Sequence, residues 1–225
     1  MPSESIYTFD DGEEAYIARD VKAIDDVIEL HSVVLDGEEH TKPILAGPIH
    51  TQTDADQLLP AFAKCTDVAR WIGALIEPQE EIDLKMWNPA DPQSDGEWMA
   101  SVEGVGVIGK IRPIDRVVVR GGVQPMHPDW VRSIRDQCDI AGVPFWFDGW
   151  GEWLPYDHVT TDEQRSEFSL ATRRGEQSYF GAKITWGPQG PKTGTTPGVR
   201  SVSYARVGAK ISGRTLNGRE HRGEG

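Results

Sequence analysis

The stretch RVVVRGGVQPMHPDWVRSIRDQCDIAGVPFWF, Arg116 to Phe147, carries the clearest structural rhythm of the chain. Arg116-Val117-Val118-Val119 is a short apolar run that ends at Gly121-Gly122 and reads as a buried strand. Pro128 suits the first position of a helix, and Trp130, Ile134, Cys138 and Ala141 then fall on one face. Gly142 closes that helix, and Pro144-Phe145-Trp146-Phe147 is the next buried strand. Strand, amphipathic helix and strand in this order imply a parallel βαβ unit.

The pattern extends toward the amino terminus. Pro43-Ile44-Leu45-Ala46-Gly47-Pro48-Ile49 and Arg70 to Ile76 are further apolar runs. Between them, Thr53 reads as a helix cap with Asp56 at the capping-box position, and Pro60 as a kink. Strands are therefore expected near 43–49, 70–76, 116–120 and 144–148, with helices near 54–64 and 128–141. The fold class is α/β: a partial (half) TIM-type barrel, or a small open parallel sheet of βαβ units with a basic C-terminal tail. Four strands do not close an eight-stranded barrel.

The flanks are read less directly. Residues 1–40 form an acidic segment in which Ala15, Ile17, Val21, Ile24 and Ile28 follow helical spacing, so a helix over Glu13–Leu30 is expected to pack onto the sheet. Ser32 to Leu35 reads as a short strand. The core spans 41–160 with an insertion at 85–114. The C-terminal extension spans 161–225 and holds a Gly- and Pro-rich loop at 187–200, expected to be flexible.

The chain has 225 residues and a net charge of -13, unevenly spread. Residues 1–60 hold 14 acids and 3 bases, whereas residues 171–225 hold 3 acids and 10 bases. A basic tail attracts phosphate, but here it also has an acidic body to fold against. One edge of the sheet is expected to stay open or to pair with another chain; the alternative is that the basic tail folds back over it. No apolar run reaches the ~20 residues that span a bilayer, and the acidic start has no signal-peptide core. A soluble, cytoplasmic protein without membrane contact is expected. Cys65 and Cys138 stand alone, so a disulfide framework, a zinc-type cysteine pair and an iron–sulfur cluster within this chain are not expected.

Ligands of parallel α/β sheets sit beyond the carboxyl ends of the strands. The candidates there are His50, Glu77, Gly121, Gly122, Trp150, Glu152 and Trp153, with His127 nearby. Gly121 and Gly122 let a backbone approach a phosphate or carboxylate closely, or simply turn the chain. Trp150 and Trp153 offer rings to stack a nucleobase, or plug the end of the sheet. His50, Glu77 and His127 form a nitrogen–oxygen set that nothing in the spacing enforces, and no metal is assigned. Hydrolase, Walker and dinucleotide signatures are absent.

Gln124-Pro125-Met126-His127-Pro128-Asp129-Trp130-Val131-Arg132, Asp136-Gln137-Cys138, Ala141-Gly142-Val143-Pro144-Phe145 and Trp150-Gly151-Glu152-Trp153 together resemble the bacteriophage protein family called gp thirty-seven/sixty-eight. The tail agrees at Arg206-Val207-Gly208, Lys210, Gly213-Arg214, Leu216 and Gly218-Arg219-Glu220. The resemblance covers about residues 45–222. It implies a radical-S-adenosylmethionine-like protein on a partial TIM-type barrel, whose three-cysteine motif lies in a half that this chain does not carry. S-adenosylmethionine and an iron–sulfur cluster would enter only with a second chain supplying those cysteines. The chain departs from the family where His50 replaces a Glu, where Gly121-Gly122 runs into Val123-Gln124, and where Asp148-Gly149 replaces Lys-Gln.

Two readings follow. In the first, this is the virus-encoded, substrate-side half of a split nucleobase-modifying enzyme, in the host cytoplasm. In the second, it is a non-catalytic binding or interaction module of the same descent. Arg206, Lys210, Arg214 and Arg219 are the candidate contacts to nucleic acid or to a partner.

Overall fold

In the computed structural model, residues 6–23, 43–62, 71–84, 114–180, 183–187, 190–194 and 202–223 are described. The sheet has six strands in sequential order: β1 (Ile6–Thr8), β2 (Glu14–Ala18), β3 (Ile44–Ile49), β4 (Ile72–Ile76), β5 (Arg116–Arg120) and β6 (Phe145–Gly149). β2 through β6 pair in parallel, and β1 turns back antiparallel onto β2. The result is an α/β partial barrel. All four strands read from sequence lie within two residues of their expected places.

Alternation along the strands divides the side chains between two faces. Ile44, Ala46, Ile72, Ala74, Val117 and Val119 face the main core. Helices α1 (Gln52–Phe62) and α2 (Pro128–Ala141) contribute Leu58, Leu59, Val131, Ile134 and Cys138 to that core. The opposite face carries Ala15, Leu45, Leu75 and Val118, covered by Tyr7 and Phe9. At its amino-terminal end the Arg116 guanidinium lies over Trp71, Phe9 and Trp146, at 4.3, 4.9 and 5.0 Å from the ring centroids. Glu13 pairs with it at 3.3 Å. Cation–π contact and ion pairing together let this charge sit among aromatic rings.

Helix α2 begins and ends as its sequence implies. The His127 Nδ1 accepts the Asp129 N–H at 3.1 Å, and Gly142 adopts φ 64° at the carboxyl end. Helix α1 starts two residues earlier than expected. Thr51 Oγ1 accepts the Asp54 N–H at 3.2 Å and Asp54 Oδ2 accepts the Thr51 N–H at 2.9 Å. Thr51, not Thr53, is therefore the cap, and Pro60 lies within the helix.

The first 40 residues hold the main correction. Glu14–Ala18 is not helical; it is a sheet strand, with Ile17 beside Leu45. Ala15 is buried through the sheet itself, whereas Val21 is exposed. The expected Ser32–Leu35 strand, Ile24, Ile28, Cys65 and residues 85–113 of the insertion lie outside the described residues.

After β6 come β7 (Trp153–Pro155), a 3-10 turn (Tyr156–His158) and helix α3 (Asp162–Arg173). Strand β11 (Val202–Arg206) then pairs antiparallel with both β7 and β8 (Gln177–Phe180). β9 (Lys183–Gly187) and β10 (Gly190–Gly194) form a hairpin, so part of the segment expected to be a flexible loop is an ordered ladder. The rest of that segment lies outside the described residues.

The basic tail covers the outer edge of β6. After the short helix α4 (Ala209–Ser212), strands β12 (Thr215–Leu216) and β13 (Arg219–Glu220) form a tight hairpin. The Phe147 N–H donates to His221 O at 2.9 Å, and the Gly223 N–H donates to Phe145 O at 3.0 Å. Arg214 pairs with Asp10 and, at 3.3 Å, with Asp148. The sheet edge is thus satisfied within the chain, and the charge asymmetry supplies the ion pairs that hold the tail there.

His158 makes this packing sensitive to pH. Its ring is buried beside Trp150, with centroids 4.5 Å apart. Burial, aided by the positive charge of Arg132, pushes its pKa down to about 4. Between the ordinary value of 6.5 and about 4 the unfolded chain binds a proton that the folded chain refuses, so stability falls as pH falls. Urea unfolding is expected to show a loss of about 2 kcal/mol between pH 7 and pH 4.5 from this group. His158→Phe should flatten that part of the profile. An unchanged slope would show that His158 is not its source.

Candidate functional site

The carboxyl ends of β3, β4 and β5 meet at a cleft of about 220 Å³. Its lining includes His50, Glu77, Arg120, Gly121, Gly122 and Gln124. His50, Glu77, Gly121 and Gly122 were read from sequence by topology alone, and the fold brings all four together. His127, Trp150, Glu152 and Trp153 do not line this cleft.

Main-chain bonds continue the sheet into the cleft. The Glu77 N–H donates to Ile49 O, and the Gln79 N–H donates to His50 O, both at 2.9 Å. The Asp54 carboxylate receives the His50 N–H at 3.0 Å. The His50 ring is oriented by its Nδ1, which lies 3.1 Å from the Glu77 carbonyl oxygen. A carbonyl only accepts, so Nδ1 carries a proton, and in the neutral ring Nε2 is the acceptor.

Arg120 is the residue that the sequence reading missed. It ends β5, and its Nε donates to Glu77 Oε1 at 2.7 Å. Among the described residues, no other hydrogen bond is made by its guanidinium. The available signal was alternation: Arg116, Val118 and Arg120 share a face, and Arg120 reaches the strand ends beside Glu77.

The two glycines divide their work. A Cβ on Gly121 would lie 2.1 Å from the Trp150 carbonyl oxygen, so Gly121 serves backbone packing between two loops. Those loops are joined by Gly121 N–H to Gly149 O at 2.7 Å and by Glu152 N–H to Gly122 O at 3.2 Å. Gly122 faces the cleft, where its Cβ would meet Glu77 Oε2 at 3.3 Å.

The aromatic rim requires correction. Trp150 is 1% exposed, and its Nε1 donates to Thr215 O at 3.0 Å. It is a core residue under the tail and presents no ring to a ligand. Trp153 Nε1 donates to Val123 O at 2.8 Å, which fixes the loop beyond Gly122. Glu152 is paired with Arg206, whose Nε lies 2.6 Å from Oε2. His127 is buried as the α2 cap.

Two of the four candidate tail bases are committed as well. Arg206 and Arg214 make the intramolecular pairs described above, so their charges are partly neutralised. Lys210 and Arg219 are exposed, on α4 and β13.

Among the described residues, no group of three or more His, Cys, Asp or Glu side chains is placed to hold a metal ion. Cys138 does not suit a cluster ligand: it is fully buried on α2, and burial pushes its thiol far up from the thiolate range. Cys65 lies outside the described residues. Among the described residues, no helix is long and apolar enough to cross a membrane.

No curated protein and no solved structure matches the chain. A family described as a protein of unknown function, DUF5131, matches residues 23–224, nearly the whole chain. The chain belongs to the DUF5131 family.

Proposed function

We propose that this protein is a binding module that takes a small polar ligand of the nucleobase class at the carboxyl ends of β3, β4 and β5. The observation that carries this reading is the convergence of His50, Glu77, Arg120 and the bare backbone of Gly122 in one cleft. The cleft supplies donors, acceptors and a face without a side chain, which together suit the edge and plane of a small ring. Its volume, about 220 Å³, is below the ~300 Å³ at which drug-sized sites begin, so a single ring system fits better than an extended ligand.

A second reading keeps the same cleft as the substrate side of a split radical-type enzyme, completed by another chain. The tail favours the module over that reading. It occupies the β6 edge, while β2 occupies the free side of β3, so both flanks of the four-stranded core are already paired.

Binding is tested by heteronuclear NMR titration with the common nucleosides and their bases. Shifts centred on His50, Glu77 and Gly122 are expected, and Gly122→Val, which puts a branched side chain into the cleft, should weaken binding at least tenfold. Absence of any such shifts, or undiminished binding by a folded Gly122→Val variant, would refute the proposal.

A further inference from the structure

We infer that the cleft selects a 6-oxopurine, with Arg120 as its specificity-determining residue; this rests on the binding reading above. The Arg120 guanidinium already has two neighbours, the Glu77 carboxylate and the Tyr7 ring, whose centroid lies 5.8 Å away. Glu77 Oε1 takes the Nε proton at 2.7 Å, so the guanidinium is oriented while its two terminal nitrogens keep their donors. The side chain is 34% exposed and lines the cleft, so those donors are within a ligand's reach. Two coplanar donors call for two acceptors side by side in the ligand.

Charge then narrows the class. Glu77 and Arg120 cancel, and the His50 Nδ1–H is bound to a carbonyl. A carboxylate or phosphate ligand would meet the arginine but also the Glu77 charge beside it. A neutral heterocycle meets no such repulsion. Guanine presents O6 and N7 as adjacent acceptors, the usual bidentate partner of arginine. Adenine replaces O6 by an amino donor, which would face donors.

Cytosine also carries adjacent acceptors, O2 and N3, but has one donor group. Guanine has two, N1–H and the N2 amino group. Side chains that line the cleft supply acceptors to receive them, among them Nε2 of a neutral His50 and Glu77 Oε2, the oxygen not used by Arg120, which faces the bare Gly122.

The decisive experiment is a titration of the wild-type protein by calorimetry with guanosine, inosine, 7-deazaguanosine, adenosine and cytidine. Guanosine should bind, and inosine, which keeps O6 and N7 but lacks the N2 amino donor, should bind more weakly than guanosine and more tightly than adenosine. 7-Deazaguanosine, which lacks the N7 acceptor, and adenosine should bind at least tenfold more weakly than guanosine. Arg120→Lys keeps the charge and loses the fork, so it should erase the preference for guanosine over adenosine while leaving the protein folded by circular dichroism. The wild-type ligand series stands even if that variant is unstable.

Adenosine, cytidine or 7-deazaguanosine binding as tightly as guanosine would overturn the inference and leave the binding reading intact. No binding by any nucleoside or base would overturn both.

Discussion

Gly121→Ala is expected to lower stability by about 3 kcal/mol or more, the upper range for forced overpacking. The added Cβ would sit 2.1 Å from the Trp150 carbonyl oxygen, 2.3 Å from its carbon and 2.7 Å from the Gly151 nitrogen. All three are backbone atoms, so no side-chain rotation relieves the clash. The loops cannot simply part, because the Gly121–Gly149 and Gly122–Glu152 main-chain bonds join them. The midpoint of thermal unfolding should fall by roughly 6–12 °C in a protein of this length.

Gly122→Ala is the internal control. Its Cβ meets the end of the Glu77 side chain at 3.3 Å, and a carboxylate turns by a few tenths of an ångström at little cost. Near-wild-type stability is expected there, with an altered cleft. Equal midpoints for Gly121→Ala and wild type would show that this close approach does not exist in solution.

Trp150→Ala should cost about 3–5 kcal/mol, as truncating a buried tryptophan does. The indole is packed edge-on to Phe147 at 4.9 Å, lies 4.5 Å from the His158 ring, and donates to Thr215 O. The loss therefore has a direction: it loosens the segment around Thr215, which carries Arg214 and leads to residues 221–223, hydrogen-bonded to β6. Limited proteolysis should cut the variant within residues 213–223 before it cuts the sheet. Trp150→Phe keeps a ring and loses the hydrogen bond, so it should fall between the two. A Trp150→Ala protein as stable and protease-resistant as wild type would return Trp150 to the rim as a free aromatic.

Some of this architecture was legible without coordinates. The unit from Arg116 to Phe147 carries its own instructions: a β-branched run, a proline at a helix start, an apolar face and a left-handed glycine at Gly142. Each of these acts within a few residues, so the pattern survives whatever surrounds it. The positions of His50, Glu77, Gly121 and Gly122 followed equally, because parallel topology delivers every strand end to one rim.

Other features were hidden for physical reasons. Ala15 and Ile17 keep the strand period while Ile17, Val21, Ile24 and Ile28 keep the helical one, and the strand state of Glu14–Ala18 depends on pairing with Ile44 to Ala46, distant in sequence. The ordering of Gly190–Gly194 likewise depends on a partner strand. Trp150 looked available because its neighbours in sequence are polar or glycine; only the returning tail buries it. Arg120 looked like the end of a strand until Glu77, just past the neighbouring strand, captured its Nε.

Local propensity and topology set the parallel α/β core, its helix α2 and the rim where a ligand would sit. The added strands of the amino terminus, the sealing of β6 by the tail and the choice of rim residues that form the cleft all arise from long-range packing. These depend on contacts between segments tens to hundreds of residues apart, such as Arg214 with Asp10, and such contacts leave no local pattern to read.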